Sequence, residues 1–187
     1  MEQIETRNEL LRLLPKNMII AELGVFTGRF SDTILSICEP KELHLVDTWE
    51  GEISCTDEND ETVVIPDMSV AYNGVRQKYS NNSLVTLHRM TSQKMLESFD
   101  NNYFDFIYID ADHSYNATLR ELTDWYPKIK NGGWVCGHDY FQSTDYPWVQ
   151  CKRAIDEFAT EYDGELIVTT TDTYPNWAFK KEISYGE

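Results

Sequence analysis

The stretch that most constrains this chain is Lys16 to Ser31, KNMIIAELGVFTGRFS, where a short apolar run ends in an acidic residue and meets a glycine-spaced turn. Met18 to Leu23 is rich in Ile and Leu, the composition of a strand buried on both faces. Gly24 and Gly28 bracket a turn at which a ligand can approach the backbone closely. Phe30, Ile34, Leu35 and Cys38 then recur at helical spacing. Strand, glycine turn and helix in this order form the first unit of an open α/β sheet, whose ligands sit beyond the carboxyl ends of the strands. Glu22 is expected to point into that crevice. The next strand, ELHLVD over Glu42 to Asp47, ends in a second carboxylate about twenty residues after the turn, where such folds hydrogen-bond ribose hydroxyls. The pair reads as a nucleoside-binding site. The competing reading is a scaffold unit that binds nothing there.

The alternation of short apolar runs with helical patterns continues to the end of the chain, which is the α/β signature. Strands are predicted over 18–23, 43–47, 84–88, 104–109, 133–137, 165–170 and 176–181. Helices are predicted over 2–14, from the spacing of Ile4, Leu10, Leu11 and Leu14, and over 29–38, 68–80, 92–98, 115–128 and 147–162. Residues 50–67, EGEISCTDENDETVVIPD, carry seven acidic side chains and no basic one, so a solvated loop is expected, either a surface excursion or a lid over the crevice.

A chain of 187 residues with 41% hydrophobic content can bury one substantial core, and a single domain is expected. Sixteen basic against thirty-two acidic residues leave a formal net charge of −16, which opposes binding to nucleic acid or to anionic membranes. The first residues, MEQIETRNELLRLLPK, are charged and amphipathic rather than leader-like, and a cytoplasmic location is expected. Cys38, Cys55, Cys136 and Cys151 lie far apart and without metal spacing, so buried or free thiols are expected.

The chemistry concentrates in Phe104 to Tyr140. One strand ends in Asp110, Asp112 and His113, and the next in His138 and Asp139. A right-handed crossover makes these strands neighbours, so all five groups can face the crevice that holds Glu22 and Asp47. Carboxylates with imidazoles suit a divalent cation or a general base. Taken singly each has a plainer role, Asp112 as a helix cap and His113 as a solvated turn residue. Tyr140, Phe141, Tyr146 and Trp148 follow and would either line an acceptor pocket or pack beneath the next helix.

ELGVFTGRFS, VDTWEG, IDADHSY, the KNGGW turn and GHDY together resemble class I S-adenosylmethionine-dependent methyltransferases, in particular the small O-methyltransferase-like group related to macrocin-type sugar and macrolide enzymes. The resemblance covers nearly the whole chain. It implies a single Rossmann-like domain with a seven-stranded, mostly parallel sheet, an antiparallel last strand and helices on both faces. It also implies that Glu22, Gly24, Phe26, Thr27 and Gly28 form the loop around the methionine portion of S-adenosylmethionine, with Asp110 beside it. Asp47 would grip the ribose, with Thr48 next to it and Trp49 flanking the adenine. Thr91 or Ser92 would meet the adenine edge, although an acidic residue is common at the Thr91 position. Metal-dependent relatives imply a cation, Mg²⁺ or another divalent ion, on Asp110, His138 and Asp139.

Methyl transfer from a sulfonium is an in-line displacement, so the protein has to align an acceptor hydroxyl and remove its proton. His113, His138 and Asp139 are the candidate bases. The expected acceptor is a small molecule, a sugar or natural product. A homodimer through the Leu10, Leu11 and Leu14 face is a further expectation. The main alternative is a nicotinamide-dependent oxidoreductase, which the missing GxGxxG spacing opposes, as does the Pro127 inside the only Tyr-x-x-x-Lys, Tyr126 to Lys130. A non-catalytic cofactor-binding module is the other.

Overall fold

The computed structural model describes residues 4–51, 53–56, 62–65, 67–162 and 165–182. Its elements, in chain order, are α1 (Arg7–Leu13), β1 (Ile19–Leu23), α2 (Arg29–Cys38), β2 (Glu42–Asp47), β3 (Ile53–Thr56), β4 (Thr62–Ile65), α3 (Ser69–Lys78) and β5 (Val85–Arg89). They continue with α4 (Ser92–Met95), β6 (Phe104–Ile109), α5 (Tyr115–Trp125), β7 (Ile129–Gly137), α6 (Cys151–Glu161), β8 (Ile167–Val168) and β9 (Trp177–Lys180). Seven strands form one sheet in the order β5-β2-β1-β6-β7-β9-β8. The pairs β5/β2, β2/β1, β1/β6 and β6/β7 are parallel, while β9 runs antiparallel to both β7 and β8.

The central strand β1 is buried along its whole length. Its alternating side chains supply both cores. Ile20 joins α1, α2 and α3 through Leu10, Leu11, Ile34 and Val75. Ile19, Ala21 and Leu23 join the opposite layer with Leu122, Trp125, Ile155 and Phe158 of α5 and α6. Each fully buried Leu, Ile or Phe contributes roughly 1.5–3 kcal/mol, which is why the sheet is sandwiched and not left open on either face.

Several boundaries differ from the sequence expectation. The first helix is confined to Arg7–Leu13 by a capping box, in which Thr6 Oγ1 accepts from Glu9 N at 3.3 Å and Glu9 Oε2 accepts from Thr6 N at 3.4 Å; residues 1–3 lie outside the described residues. Leu10, Leu11 and Leu14 are at most 3% exposed, consumed by the chain's own core, so this face is closed to a dimer partner. The KNGGW segment is part of β7, whose register against β6 shifts from Phe104↔Ile129 to Phe106↔Trp134, so that β7 carries extra residues in an irregular bulge. Lys130, displaced by that bulge, pairs with Asp105 at 2.7 Å. The last helix starts at Cys151 rather than 147, and the last two strands are shorter than expected.

Within the acidic stretch, the backbones of β3 and β4 pair antiparallel, from Ile53↔Ile65 to Thr56↔Thr62, where a loop was expected. The β-branched residues of ISCT and TVVI favour strand in spite of the surrounding charge. The remaining residues of this stretch, 52, 57–61 and 66, lie outside the described residues. No helix among the described residues is long and apolar enough to cross a membrane.

Candidate active site at the carboxyl ends of the strands

Backbone hydrogen bonds continue one residue past the parallel strands. Gly24 N donates to Val46 O at 2.9 Å, Asp110 N to Leu23 O at 2.8 Å and His138 N to Ile109 O at 3.1 Å. The loops after β1, β6 and β7 therefore start side by side. Gly24 has φ +88°, and a Cβ built there would lie 1.8 Å from Asp110 O. What approaches this glycine is thus the Asp110 backbone, where the sequence had led us to expect a ligand. Gly28, at φ +70°, starts α2 against Val75 and Tyr79. Three non-glycine residues also adopt left-handed backbone here, Phe26 (φ 51°), Trp49 (φ 46°) and Asp139 (φ 57°), the strained conformations that collect at ligand sites.

Glu22 is 1% exposed and accepts from Ser31 Oγ at 2.6 Å. Burial pushes its carboxyl up to about 8, and the Ser31 hydrogen bond only partly opposes this. Asp47 Oδ2 accepts from Val25 N and Phe26 N, both at 2.9 Å, and Asp47 Oδ1 from Trp49 N at 2.7 Å. This carboxylate sets the shape of the glycine loop. Trp49 departs from expectation: its ring is 0% exposed and its Nε1 donates to Phe26 O at 2.8 Å, so it braces the loop from within the core and leaves no face to stack on an adenine. Thr27 and Thr48 sit in the same two loops. Thr91 caps α4 by accepting from Lys94 N at 3.2 Å, and the neighbouring Ser92 donates to Glu121 Oε1 at 2.8 Å.

Asp110, His113 and Asp139 bring their ligating atoms within 4.8 Å of one another. His138, the imidazole expected in this group, approaches the same two carboxylates, its Nδ1 lying 3.8 Å from Asp110 Oδ1 and 3.0 Å from Asp139 Oδ2. His113 Nε2 lies 2.8 Å from Asp139 Oδ2 and 3.8 Å from Asp110 Oδ1. The nitrogen is buried yet aligned for a hydrogen bond with neither oxygen. His138 Nδ1 is 3.0 Å from the same Asp139 Oδ2 and hydrogen-bonds to it. The two carboxylates push His113 up to about 10 against the opposing effect of burial. Burial alone would lower His138, but the Asp139 hydrogen bond and the Asp110 charge carry it upward. Burial would raise Asp139, and the two imidazoles outweigh it, holding this carboxyl well below its usual range.

The turn that carries His113 is held from several sides. Asp112 Oδ1 accepts from Ser114 N at 2.8 Å, Ser114 caps α5, and Gln150 N donates to His113 O at 2.9 Å. Asp112 is thus a turn residue just ahead of the helix cap.

The family model described as "Methyltransferase domain" matches residues 21–140, which span β1 to the end of the GHDY segment. The chain belongs to this methyltransferase family. A comparison by sequence with curated proteins finds no match. Among solved structures, the chain is similar to the O-methyltransferase TomG of Streptomyces achromogenes, involved in tomaymycin synthesis and solved with S-adenosylmethionine (TM-score 0.66, 16% identity, 95% of this chain and 80% of that one). It is also similar to the N-methyltransferase NodS of Bradyrhizobium japonicum (TM-score 0.63, 13% identity, 94% of each chain). Spermidine synthase of Thermotoga maritima shares the fold (TM-score 0.61, 15% identity, 93% of this chain), and the chain spans 56% of that enzyme's length.

Two residues of the crevice were missed in the sequence, Ser31 beneath Glu22 and Glu121 beneath Ser92. Glu121 had a readable signal, since it stands among Ala117, Thr118, Leu122 and Trp125 on the buried stripe of α5, where a charged residue is out of place. The candidate acceptor residues divide. Tyr140 donates its hydroxyl to Asp156 of α6, whereas Tyr146 and Trp148 are 58% and 63% exposed and pack against each other. Phe141 meets Tyr174, whose ring in turn stands 6.1 Å from His138. A cleft of about 260 Å³ lies at the opposite end of the sheet, between Pro15, Lys41, Asp105 and Lys130. It contains none of the converging groups, and Tyr126 and Lys130 of the Tyr-x-x-x-Lys lie toward that end.

Proposed function

We propose that this protein transfers the methyl group of S-adenosylmethionine to a hydroxyl oxygen of a small acceptor, a sugar or other natural product, with a divalent cation held by Asp110, His113 and Asp139. The observation that carries the reading is the convergence of these three side chains beside the Glu22–Gly24 loop in a chain of the methyltransferase family. The donor set fits a cation. Two carboxylate oxygens and a buried imidazole nitrogen lie within 4.8 Å of one another, and the nitrogen makes no aligned hydrogen bond. A cation there would supply the charge that acidifies a hydroxyl bound next to it.

The proton work falls to His138. Its Nδ1–H donates to Asp139 Oδ2, which leaves Nε2 with a lone pair for the acceptor's hydrogen. Asp139 is too weak a base for that task, because two imidazoles stabilise its ionised form, and it acts by orienting them. In the absence of a cation, His113 stays protonated and neutralises the carboxylates. Asp47 fixes the Val25–Phe26 backbone, so the loop that faces the cofactor is set before binding. The net charge of −16 favours neutral or cationic acceptors over phosphorylated ones.

The test begins with thermal unfolding in the presence of S-adenosylhomocysteine beside NAD⁺. Ligand at about a hundred times its dissociation constant adds roughly 2.7 kcal/mol, an upward shift of about 5–10 °C for a domain of this size. A shift with NAD⁺ alone overturns the reading. Turnover is then followed as release of S-adenosylhomocysteine over a panel of sugar and catechol acceptors with and without Mg²⁺. Asp139→Ala is expected to lose about 10²- to 10⁴-fold in rate, and unchanged turnover refutes its role.

A further inference from the structure

Arg7 is a cation of the crevice that the proposed reaction leaves unused. It stands at the start of α1, half-buried, with its Cζ 4.1 Å from the centre of the Phe30 ring, and that ring packs on Tyr108 at 4.2 Å. Its charge acts on Glu22, Tyr108 and His138, so the guanidinium lies among the groups at the carboxyl ends of β1, β6 and β7. A chain of hydrogen bonds fixes its backbone there. Arg7 N donates to Asp172 Oδ2 at 2.9 Å, Asn176 Nδ2 donates to the same oxygen at 3.0 Å, and buried Tyr108 donates its hydroxyl to Asn176 Oδ1 at 2.6 Å. Thr170 N and Thr171 N tie down the preceding turn by donating to Glu5 O at 3.2 and 3.0 Å. Yet Arg7 forms no ion pair among the described residues. A half-buried guanidinium without a counter-charge is costly, and the ring contact offsets only part of that cost.

We infer that Arg7 binds a carboxylate on the methyl acceptor, so that the substrates of this site are hydroxy acids, sugar or aromatic, held by the acid group while a hydroxyl is methylated. This rests on the proposed methyl transfer from S-adenosylmethionine. Charge balance in the crevice favours it. Asp47 is answered by three backbone N–H groups, and Asp110 and Asp139 by His113 and His138. Glu22, raised to about 8 by burial, is protonated at neutral pH and offers no negative charge. S-adenosylmethionine does not supply it either, because its ammonium and carboxylate cancel and its sulfonium leaves it a net cation. The missing anion therefore has to arrive with the acceptor. The anchors of Arg7 lie on that side, since Asp172 and Asn176 flank Tyr174, whose ring stands 6.1 Å from His138. A guanidinium presents a planar fork of N–H donors that fits a carboxylate through two parallel hydrogen bonds. The net charge of −16 opposes multiply charged anions at long range, where salt screens it, whereas a single carboxylate in contact with Arg7 feels mainly the guanidinium.

The experiment is calorimetric titration of acceptors into the full chain saturated with S-adenosylhomocysteine and Mg²⁺, using two matched pairs, protocatechuate with catechol and glucuronate with glucose. The wild type is expected to bind the acid of at least one pair about 10- to 100-fold more tightly than its neutral partner. Arg7→Gln removes the charge and keeps the backbone bond to Asp172, and the preference is expected to fall to about threefold or less. Arg7→Lys keeps the charge without the fork and should fall between the two. The wild-type ratio and Arg7→Lys decide the matter even where the glutamine variant fails to fold. A wild-type ratio near one in both pairs overturns the inference, and so does a complex that binds no member of either pair. A ratio that survives Arg7→Gln overturns it as well, and if that variant binds S-adenosylhomocysteine more weakly, the guanidinium grips the cofactor's own carboxylate instead. Wild-type protein that does not bind S-adenosylhomocysteine fails the adenosyl-cofactor reading itself, and this inference with it.

Discussion

Replacing Gly24 with Ala tests whether the loop after β1 and the loop after β6 are locked together by backbone contact. The new Cβ would sit 1.8 Å from Asp110 O and 2.6 Å from Asp110 C, atoms that cannot rotate away as a side chain can. Gly51 is the matched control. It has φ +81°, close to the +88° of Gly24, but no atom of the described residues lies within 4 Å of its Cβ position. Both substitutions carry the left-handed backbone cost of roughly 1–2 kcal/mol, and it cancels in the comparison. What remains for Gly24→Ala is the forced separation of two packed backbones, roughly 1–3 kcal/mol by analogy with overpacked cores. For a chain of this length that difference is about 2–12 °C in unfolding midpoint. Differential scanning fluorimetry of the two variants at one pH measures it directly. Gly28→Ala should fall between them, since its nearest neighbour is a side-chain methyl, Val75 Cγ2, at 3.3 Å. Equal losses for Gly24→Ala and Gly51→Ala would refute the claim that Asp110 is positioned by this contact.

Two further predictions concern pH. His88 is held near 4 by burial and by the facing charge of His44, whose Nδ1 lies 3.0 Å from His88 Nε2. The unfolded imidazole takes up its proton near 6.5, so the stability carried by the neutral pair is present above that pH and is lost as pH falls toward 4. His88→Gln should therefore show a shallower drop in unfolding midpoint between pH 6.5 and 4, and parallel curves would count against the pair. Glu22 behaves oppositely: its folded value, raised to about 8, contributes stability that is complete below 4.5 and lost as pH rises through 8. Glu22→Gln keeps an acceptor for Ser31 and should gain in midpoint over the wild type as pH goes from 5 to 9, a trend whose absence would show that Glu22 is hydrated in solution.

Periodicity was enough to place the strands and helices of the main sheet, because strands buried on both faces and helices with a single apolar stripe have distinct repeats, whereas the antiparallel last strand was read from the family resemblance. The glycine turn, the carboxylates at the ends of β1 and β2, and the cluster at the ends of β6 and β7 could be read from residue type and spacing alone. Local propensity misled at two places. The charge of 50–67 hid the β-branched runs that become β3 and β4, and the glycines of KNGGW suggested a turn where β7 accommodates a bulge. β3 and β4 were decided by pairing with each other, and the KNGGW segment by pairing with the distant β6.

By itself, then, the sequence determined the doubly covered α/β sheet and the end of it at which ionisable groups gather, since these follow from patterns within single elements. Which groups meet was left to tertiary structure. Both His113 and His138 reach the Asp110 and Asp139 carboxylates, and the bond from Gln150 N to His113 O helps to hold the turn that carries the first of them. Trp49 likewise turns into the core, and Glu121 reaches Ser92. Side-chain direction at a loop depends on contacts between residues tens of positions apart, and no local pattern encodes those contacts.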